Sequence, residues 1–562
     1  MSLVPGLFLL IAGGWQSGAT DSLGVLRSAR RAQETFEATR RASLPERPGG
    51  WSGVCGQRIG RMCYWYDGGV DTAPEEPPRI RQARARLLAA LDGAGAAVPG
   101  DEWIAGQRVR YLIENGQPDL AARAAEQCRA ARWWCEALQG LVRHVGGDFA
   151  AADSLYAAAL ADMPDDERCG WSDISPLLEG QVAGRYRQLD CAGRAAFEAR
   201  WWWLAQPLYS LGGNDRRTEH FARRTMVRIE QGRRTPFGLY WDDDLRDVLL
   251  RYGWPTFWTR NPPTSLLAGS DPVVTGHEAS PAFHFVPGAR ALDDPGSAQP
   301  EDWSLDTRNA RERYAPPYAT AFGYLDHQAA VFRRGDTCVV VAAYDLSDDT
   351  LFADRPVTTA LALAADERVI ALARDSGLAA GARTLAATAP CGPLVVSLEA
   401  TARRERHAAR ARYGMTPPRP DGRPALSDLL LFDPPDSLPT SLDAAIPHAL
   451  GSTRGLAART LGVFWELYGL DPAQGAVTVS LTMTRQGSGW LRRTVESLGL
   501  AAPRRDVQLR WEEVPEVPLV TPRALAVDLS GLAPGRYVIE VSVTPASGET
   551  LTARREVAIE RR

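Results

Sequence analysis

The sequence predicts a multidomain chain, α then β, in which a helical half is followed by two β-sandwich domains. Ala-rich segments between Asp101 and Pro164 carry apolar residues at helical spacing. Beyond about Ala282 the apolar period falls to two, the period of a strand with one buried face. At 562 residues, 45% apolar and 23% charged, the chain is also too long for one hydrophobic core.

The first twelve residues are largely apolar, too few to cross a bilayer but enough for a signal-peptide core, and Ser17-Gly18-Ala19 offers a small-x-small cleavage site. Residues 1–19 therefore read as a signal peptide. No basic residue precedes the apolar run, which leaves a misassigned start codon or a buried N-terminal strand as alternatives. Export, to the periplasm or the extracellular space, agrees with eight cysteines that fall into four local couples: Cys55/Cys63, Cys128/Cys135, Cys169/Cys191 and Cys338/Cys391. On one straight helix Cys128 and Cys135 would sit about 10 Å apart, beyond the roughly 7 Å reach of a disulfide. Their bridge requires a turn at Arg129 to Arg132. Eight buried free thiols in a cytosolic chain are the competing reading; no C-x-x-C pair points to zinc or redox chemistry.

Residues 20–100 form a helical and loop segment. From 101 to 206 the pattern predicts antiparallel helical hairpins, broken at Asn115-Gly116-Gln117-Pro118 and at Gly146-Gly147. Gly140, Gly147, Ala152, Tyr156, Ala159 and Pro164 are spaced as in a tetratricopeptide repeat, which this stretch resembles, and Gly106 precedes Gly140 by 34 residues, one repeat period. The resemblance implies about two degenerate copies. The following helices should cap them, with Trp201-Trp202-Trp203 wedged into that packing.

Residues 207–262 read as a helical element in which Asn214 or Asp215 caps one helix and Asp242 to Asp244 open another that ends at Gly253-Trp254-Pro255. Trp241, Asp244, Tyr252, Gly253 and Pro255 match positions of the GWxTD-domain proteins, bacterial envelope proteins of poorly defined role, which this segment resembles. It departs from them at Tyr240, Asp243 and Leu245-Arg246, where the motif has Gly, Thr and Arg-Gly. The resemblance implies an envelope protein with helical repeats before the motif and β domains after it.

The first sandwich is expected over 276–415, with hairpins at Arg334-Gly335-Asp336 and Asp366-Glu367, a strand from Leu394, and Cys338 and Cys391 beginning neighbouring strands. A linker is expected at Thr416 to Arg423. The second sandwich, 424–562, is marked by Val477, Val479, Leu481 and Met483 alternating with hydroxylated residues, and by Tyr537 to Val543 behind a Pro-Gly turn. Both resemble immunoglobulin-like modules.

Several chemistries are excluded or disfavoured. All 64 basic residues are arginine, and without lysine there is no pyridoxal Schiff base, Walker-A loop or kinase strand lysine. With 68 acidic residues the net charge is -4, so no global field recruits nucleic acid or an anionic membrane. His277, Glu278 and His284 are spaced too widely for a zincin. Asp345, Asp348, Asp349 and Asp354 lack the EF-hand spacing and read as a solvated loop. The five arginines of Arg403 to Arg412 read as a solvated strand end or short helix. No Gly-x-Ser-x-Gly elbow occurs.

The residues thus predict a non-catalytic exported scaffold that docks an envelope protein or peptide on its helical repeats, with no cofactor, nucleic acid or membrane span. The alternative is an envelope hydrolase or glycan-acting enzyme using His220, His277, Glu278 or His284, or a carbohydrate-binding module.

Overall fold

The computed structural model describes residues 17–46, 57–60, 62–64, 73–261, 273–306, 310–417, 423–454, 456–457, 460–470, 472, 475–486, 505–515, 520–546 and 549–560. A helical region precedes a β-rich one, and the chain clusters into two compact units. The first comprises Met1–Glu198, Gly212–His284 and Asp306–Ala315; the second Ala199–Leu211, Phe285–Leu305 and Pro316–Arg562. Most of the predicted signal peptide, and Cys55 together with the Cys63 side chain, lie outside the described residues.

The helices run α1 (Ser17–Ser43), α2 (Pro78–Ala97), α3 (Glu102–Glu114), α4 (Pro118–Glu126), α5 (Arg132–Val145), α6 (Phe149–Asp162), α7 (Asp165–Ser172), α8 (Gly180–Arg187), α9 (Cys191–Ala205), α10 (Asp215–Glu230) and α11 (Asp243–Tyr252). Pro118 opens α4 where its missing N–H costs nothing, and Asp101, Asp148 and Asn214 cap α3, α6 and α10 through their side-chain oxygens. The α3–α4 and α5–α6 hairpins pack face to face. Gly140 exists for that approach, because a Cβ there would sit 2.9 Å from the Tyr156 ring; a Cβ at Gly106 would meet Ile229 and Trp134 at 3.0 and 3.1 Å.

Cys128 and Cys135 are bonded across the turn between α4 and α5, with Cα atoms 5.5 Å apart, and Cys169 is bonded to Cys191. Two short hairpins complete the unit: β1 (Gln57–Ile59) with β2 (Met62–Tyr64), and β3 (Phe257–Asn261) with β4 (Val273–His277). His277 therefore ends a strand of the helical unit instead of lying in a loop that leads into the first sandwich.

The core of this unit holds, beside Ile104, Leu138 and Trp134, an unusual set of buried charges. Arg40, Arg110 and Arg233 are matched by Glu37, Glu114 and Glu230, contributed by α1, α3 and the end of α10. Arg40 Nη2 lies 2.6 Å and Arg110 Nη2 2.7 Å from the Glu114 carboxylate, while Tyr111 donates to Glu37 at 2.6 Å. Burial alone would raise Glu114; Arg110 and Arg40 outweigh it and hold the carboxyl at about 2. Charges this deep persist only because each is paired.

In the second unit, β6 (Gln328–Arg334), β7 (Thr337–Asp345) and β10 (Ala382–Pro390) form one sheet in the order β10-β7-β6. A second sheet takes β5 (Ala321–Tyr324), β8 (Pro356–Ala365), β9 (Arg368–Leu378), β11 (Leu394–Ala402) and β12 (His407–Met415) in the order β5-β12-β11-β8-β9. Val340 and Ala342 from the first sheet share one apolar cluster with Leu361, Leu363, Val396 and Leu398 from the second. The hairpins turn where expected, with Gly335, Asp366 and Glu367 at positive φ. Cys338, in β7, is bonded to Cys391; the latter follows the end of β10 instead of beginning a strand.

The remaining strands are β13 (Ala425–Leu426), β14 (Leu430–Phe432), β15 (Leu456–Ala457), β16 (Thr460–Tyr468), β17 (Val477–Arg485), β18 (Arg505–Glu513), β19 (Val520–Asp528), β20 (Gly535–Thr544) and β21 (Leu551–Glu560). One sheet centres on β16, flanked by β13, β14 and β19, and the other runs β15-β21-β20-β17-β18. Val463 and Trp465 meet Val479, Leu481, Ile539 and Val541 in their shared core. Phe332 and Val341 also pack with Phe432 and Phe464, so both β layers belong to one compact unit despite the linker-like sequence between them. Part of that stretch, 418–422, lies outside the described residues.

Two expectations are corrected in this unit. Trp201, Trp202 and Trp203 do not cap the helical hairpins; they group with the β unit, where Trp203 stacks with Tyr209. Arg410 and Arg412 are not solvated. They are 2% exposed and donate to the carbonyls of Gln206 and Pro207, with Arg412 over the Tyr209 ring at 3.7 Å. On β12 they alternate with Ala409 and Ala411, which enter the apolar cluster on the other face.

Candidate functional site

The helix α11 and the loop after it carry the family-like residues. Asp242 caps α11, its carboxylate accepting from Leu245 N at 3.1 Å, and Asp243 and Asp244 lie in the first turn, where the helix dipole favours negative charge. The Asp244 carboxylate packs on Gly60. Trp241 packs against the helical core. Tyr252 stacks on Tyr64 with ring centroids 3.7 Å apart, donates to Gln57 and accepts from Arg251. Gly253 terminates the helix at φ 98° and ψ -176°, backbone that only glycine takes readily, and Pro255 fits against Gly276. These contacts are structural. Gly253→Val should lower the stability of the helical unit by about 1–3 kcal/mol through backbone strain, read as an earlier melt; an unchanged melt would mean that the loop adopts another backbone.

Two cavities flank the wall formed by α10 and α11. The larger is an open cleft of about 950 Å³ between that wall and the segment from α7 to α8. Four arginines reach it, Arg187, Arg224, Arg246 and Arg311, together with Asp173, Glu179 and Asp247. Arg311 Nε donates to Pro176 O at 2.7 Å, and Arg246 pairs with Asp243 at 2.9 Å. Arg224 donates to the Asp173 carbonyl; burial brings its guanidinium down to about 10, opposed by Asp173 and aided by Arg246. Arg187 has no ion pair among the described residues. Just behind the cleft, Tyr186 donates to Glu198 at 2.5 Å, and burial pushes that carboxyl up to about 7.

The smaller cavity, about 300 Å³, is lined by Ile113, Leu141, Val145, Ala222, Met226 and Leu249, by Tyr252, Gly253 and Trp254, and by Arg110, Glu114, His144, Glu219 and Arg223. His144 bridges Thr218 Oγ1 at 2.9 Å and Glu219 Oε2 at 2.7 Å, and Arg223 Nε donates to Glu219 Oε1 at 2.6 Å. Although burial opposes it, Arg223 and then His144 hold Glu219 far below the usual carboxylate range.

The three histidines of the enzymatic alternative each engage a different partner, and Glu278 stands apart from them. His220 Nε2 lies 3.3 Å from Trp171 O, and burial drives it well below the usual imidazole value. His277 meets Thr259 Oγ1 at 2.9 Å and stacks on Phe257. His284 Nδ1 lies 2.9 Å from Glu312, which is also paired with Arg216. Glu278 is half-buried, its carboxyl raised to about 7 by burial. Among the described residues no group of three or more His, Cys, Asp or Glu could hold a metal ion. Sequence reasoning missed both cavities because their polar side chains come from segments far apart in the chain. Only the family-like segment reaches both: Arg246 and Asp247 line the cleft, and Tyr252, Gly253 and Trp254 line the smaller cavity.

No protein family and no curated protein matches the chain. Among solved structures, parts of it are similar to red sea bream transglutaminase (10% identity, TM-score 0.13, 42% of this chain and 31% of that one). Others are a Bacteroides uniformis β-glucuronidase (8%, 0.17, 40% and 26%) and a glycosyl hydrolase family 2 member from Bacteroides cellulosilyticus (8%, 0.16, 40% and 29%). The chain spans between a quarter and a third of those structures. Similarity this slight carries neither fold nor activity.

Proposed function

We propose that the protein is a non-catalytic exported interaction protein of a bacterial cell envelope, which docks a protein or peptide partner on its helical unit. The observation that carries this reading is the open cleft of about 950 Å³, whose walls present four guanidiniums among three carboxylates. Guanidinium groups recognise carboxylates and carbonyls by paired hydrogen bonds, and a mixed-charge wall suits an extended polar chain more than a compact apolar ligand. The α3–α4 and α5–α6 hairpins, read as tetratricopeptide-like, and the β layers, read as immunoglobulin-like, supply a platform and spacers. Among the described residues three disulfides fit folding in an oxidising compartment, and no helix is long and apolar enough to cross a membrane. A photo-crosslinking residue at Ala183, on the cleft wall, should capture one stoichiometric envelope partner in native cells. Arg187→Glu with Arg246→Glu should abolish the capture. An uncomplexed monomer, or capture that survives the charge reversal, overturns the proposal.

A further inference from the structure

The smaller cavity combines an apolar lining with two buried donors that lack acceptors. Arg110 is 1% exposed and its Nη1 makes no hydrogen bond; the indole Nε1 of Trp254 is likewise buried without a partner. Both side chains line the cavity, and the Arg110 guanidinium lies over the Trp254 ring, 4.8 Å from its centroid. A buried donor without an acceptor costs about 1–3 kcal/mol, and two of them beside one space point to an oxygen that belongs there.

The charges around the cavity decide what carries that oxygen. Arg110 belongs to the balanced set of three arginines and three glutamates, and Arg223 is matched by Glu219. Arg223 also donates to the carbonyls of Leu250 and Arg313, at 3.0 and 2.8 Å, which leaves it committed to the protein. His144 spends both ring nitrogens on Thr218 and Glu219. An incoming carboxylate would be a further buried charge without a counter-ion. A neutral carbonyl satisfies both donors without that cost. Leu141, Val145, Ala222, Met226 and Leu249 line the same cavity with apolar surface, and about 300 Å³ is the lower end of the range for small-molecule sites.

We propose that this cavity is a binding site for an uncharged amide or ester, whose carbonyl oxygen accepts from Arg110 Nη1 and Trp254 Nε1 and whose single branched or aromatic side chain fills the apolar end. The site lies in the helical unit across the α10–α11 wall from the cleft, and it stands whether or not the cleft docks a partner.

The test is ligand-observed NMR on the full chain with N-acetyl-leucinamide and N-acetyl-phenylalaninamide as probes and the corresponding free acids as charged controls. Two variants separate binding from folding. Val145→Trp adds bulk at the 47% exposed rim, and Trp254→Phe keeps the ring but removes the donor. Saturable binding of at least one amide is expected, with its acid weaker by about tenfold. Trp254→Phe should weaken the amide by about fivefold, the value of one lost hydrogen bond, and Val145→Trp should abolish binding while the melt is retained. Absence of saturation by both amides overturns the proposal. So do equal affinities for amide and acid, or binding that neither variant alters.

Discussion

Replacing Glu399 by leucine is expected to cost the β unit about 3–5 kcal/mol, the range seen when one partner of a buried ion pair is removed. Glu399 sits in β11 at 1% exposure, and each of its oxygens is in use. Oε1 accepts from Tyr209 N at 2.7 Å and from Ser397 Oγ at 2.7 Å and faces Arg412 Nη2 at 3.3 Å; Oε2 accepts from Ser210 N at 2.9 Å. Leucine would leave two backbone donors unsatisfied and two guanidiniums, Arg410 and Arg412, buried without a carboxylate. Burial and the neighbouring Arg412 already bring Arg410 down to about 9, and Glu399 acts against both. Hydrogen exchange in β11 and β12 should report the loss. Adding Arg410→Met and Arg412→Met should recover part of it, because the uncompensated charges leave together. A loss below about 1 kcal/mol would mean that these groups reach water in solution.

That network also shows where sequence reasoning stops. Charged residues are read as surface by default, and Arg403 to Arg412 was therefore expected to be solvated. The alternation Ala409, Arg410, Ala411, Arg412 was a legible strand signature, but nothing local says that the arginine face is covered, since its cover comes from residues some 200 positions earlier. The buried charges of the helical unit are legible in part: Glu37–Arg40, Arg110–Glu114 and Glu230–Arg233 are three or four residues apart, but the contacts Arg40–Glu114, Arg110–Glu230 and Arg233–Glu37 form only after α1, α3 and α10 have packed. Local punctuation was legible because its causes are local. Asp242 caps α11, Gly253 stops it, Gly335 turns a hairpin, and the break after Glu126 brings Cys128 within reach of Cys135. The family-like residues mapped onto one helix and its stop, yet their chemistry proved to be packing. Both cavities are assembled from positions that no window of sequence contains.

Stability of the helical unit should pass through a maximum near pH 4.5 to 5, falling on both sides. Glu312 is fully buried between Arg216 and His284; burial would raise its carboxyl, but Arg216 and then His284 outweigh burial and hold it at about 2. Glu114 is held at about 2 by Arg110 and Arg40 against the same burial term. Both start from 4.5 in the unfolded chain, so each contributes about 3 kcal/mol that is fully present above pH 4.5 and lost as pH falls through about 2. On the other side, Glu198 and Glu278 are raised by burial to about 7. Each binds its proton more tightly folded than unfolded, so the two cost stability as pH rises from 4.5 to about 7; His220, driven well below 6.5 by burial, opposes one of them up to that pH and makes the limb shallower without reversing it. Urea unfolding between pH 2 and 8, followed by hydrogen exchange in α3 and α10, should trace both limbs. Glu198→Gln should flatten the limb above pH 5 and leave the acid limb intact, because it removes one raised carboxyl and keeps an acceptor for Tyr186. A profile flat between pH 5 and 2 would place Glu114 and Glu312 in contact with water, and the charge cluster would then be open rather than sealed.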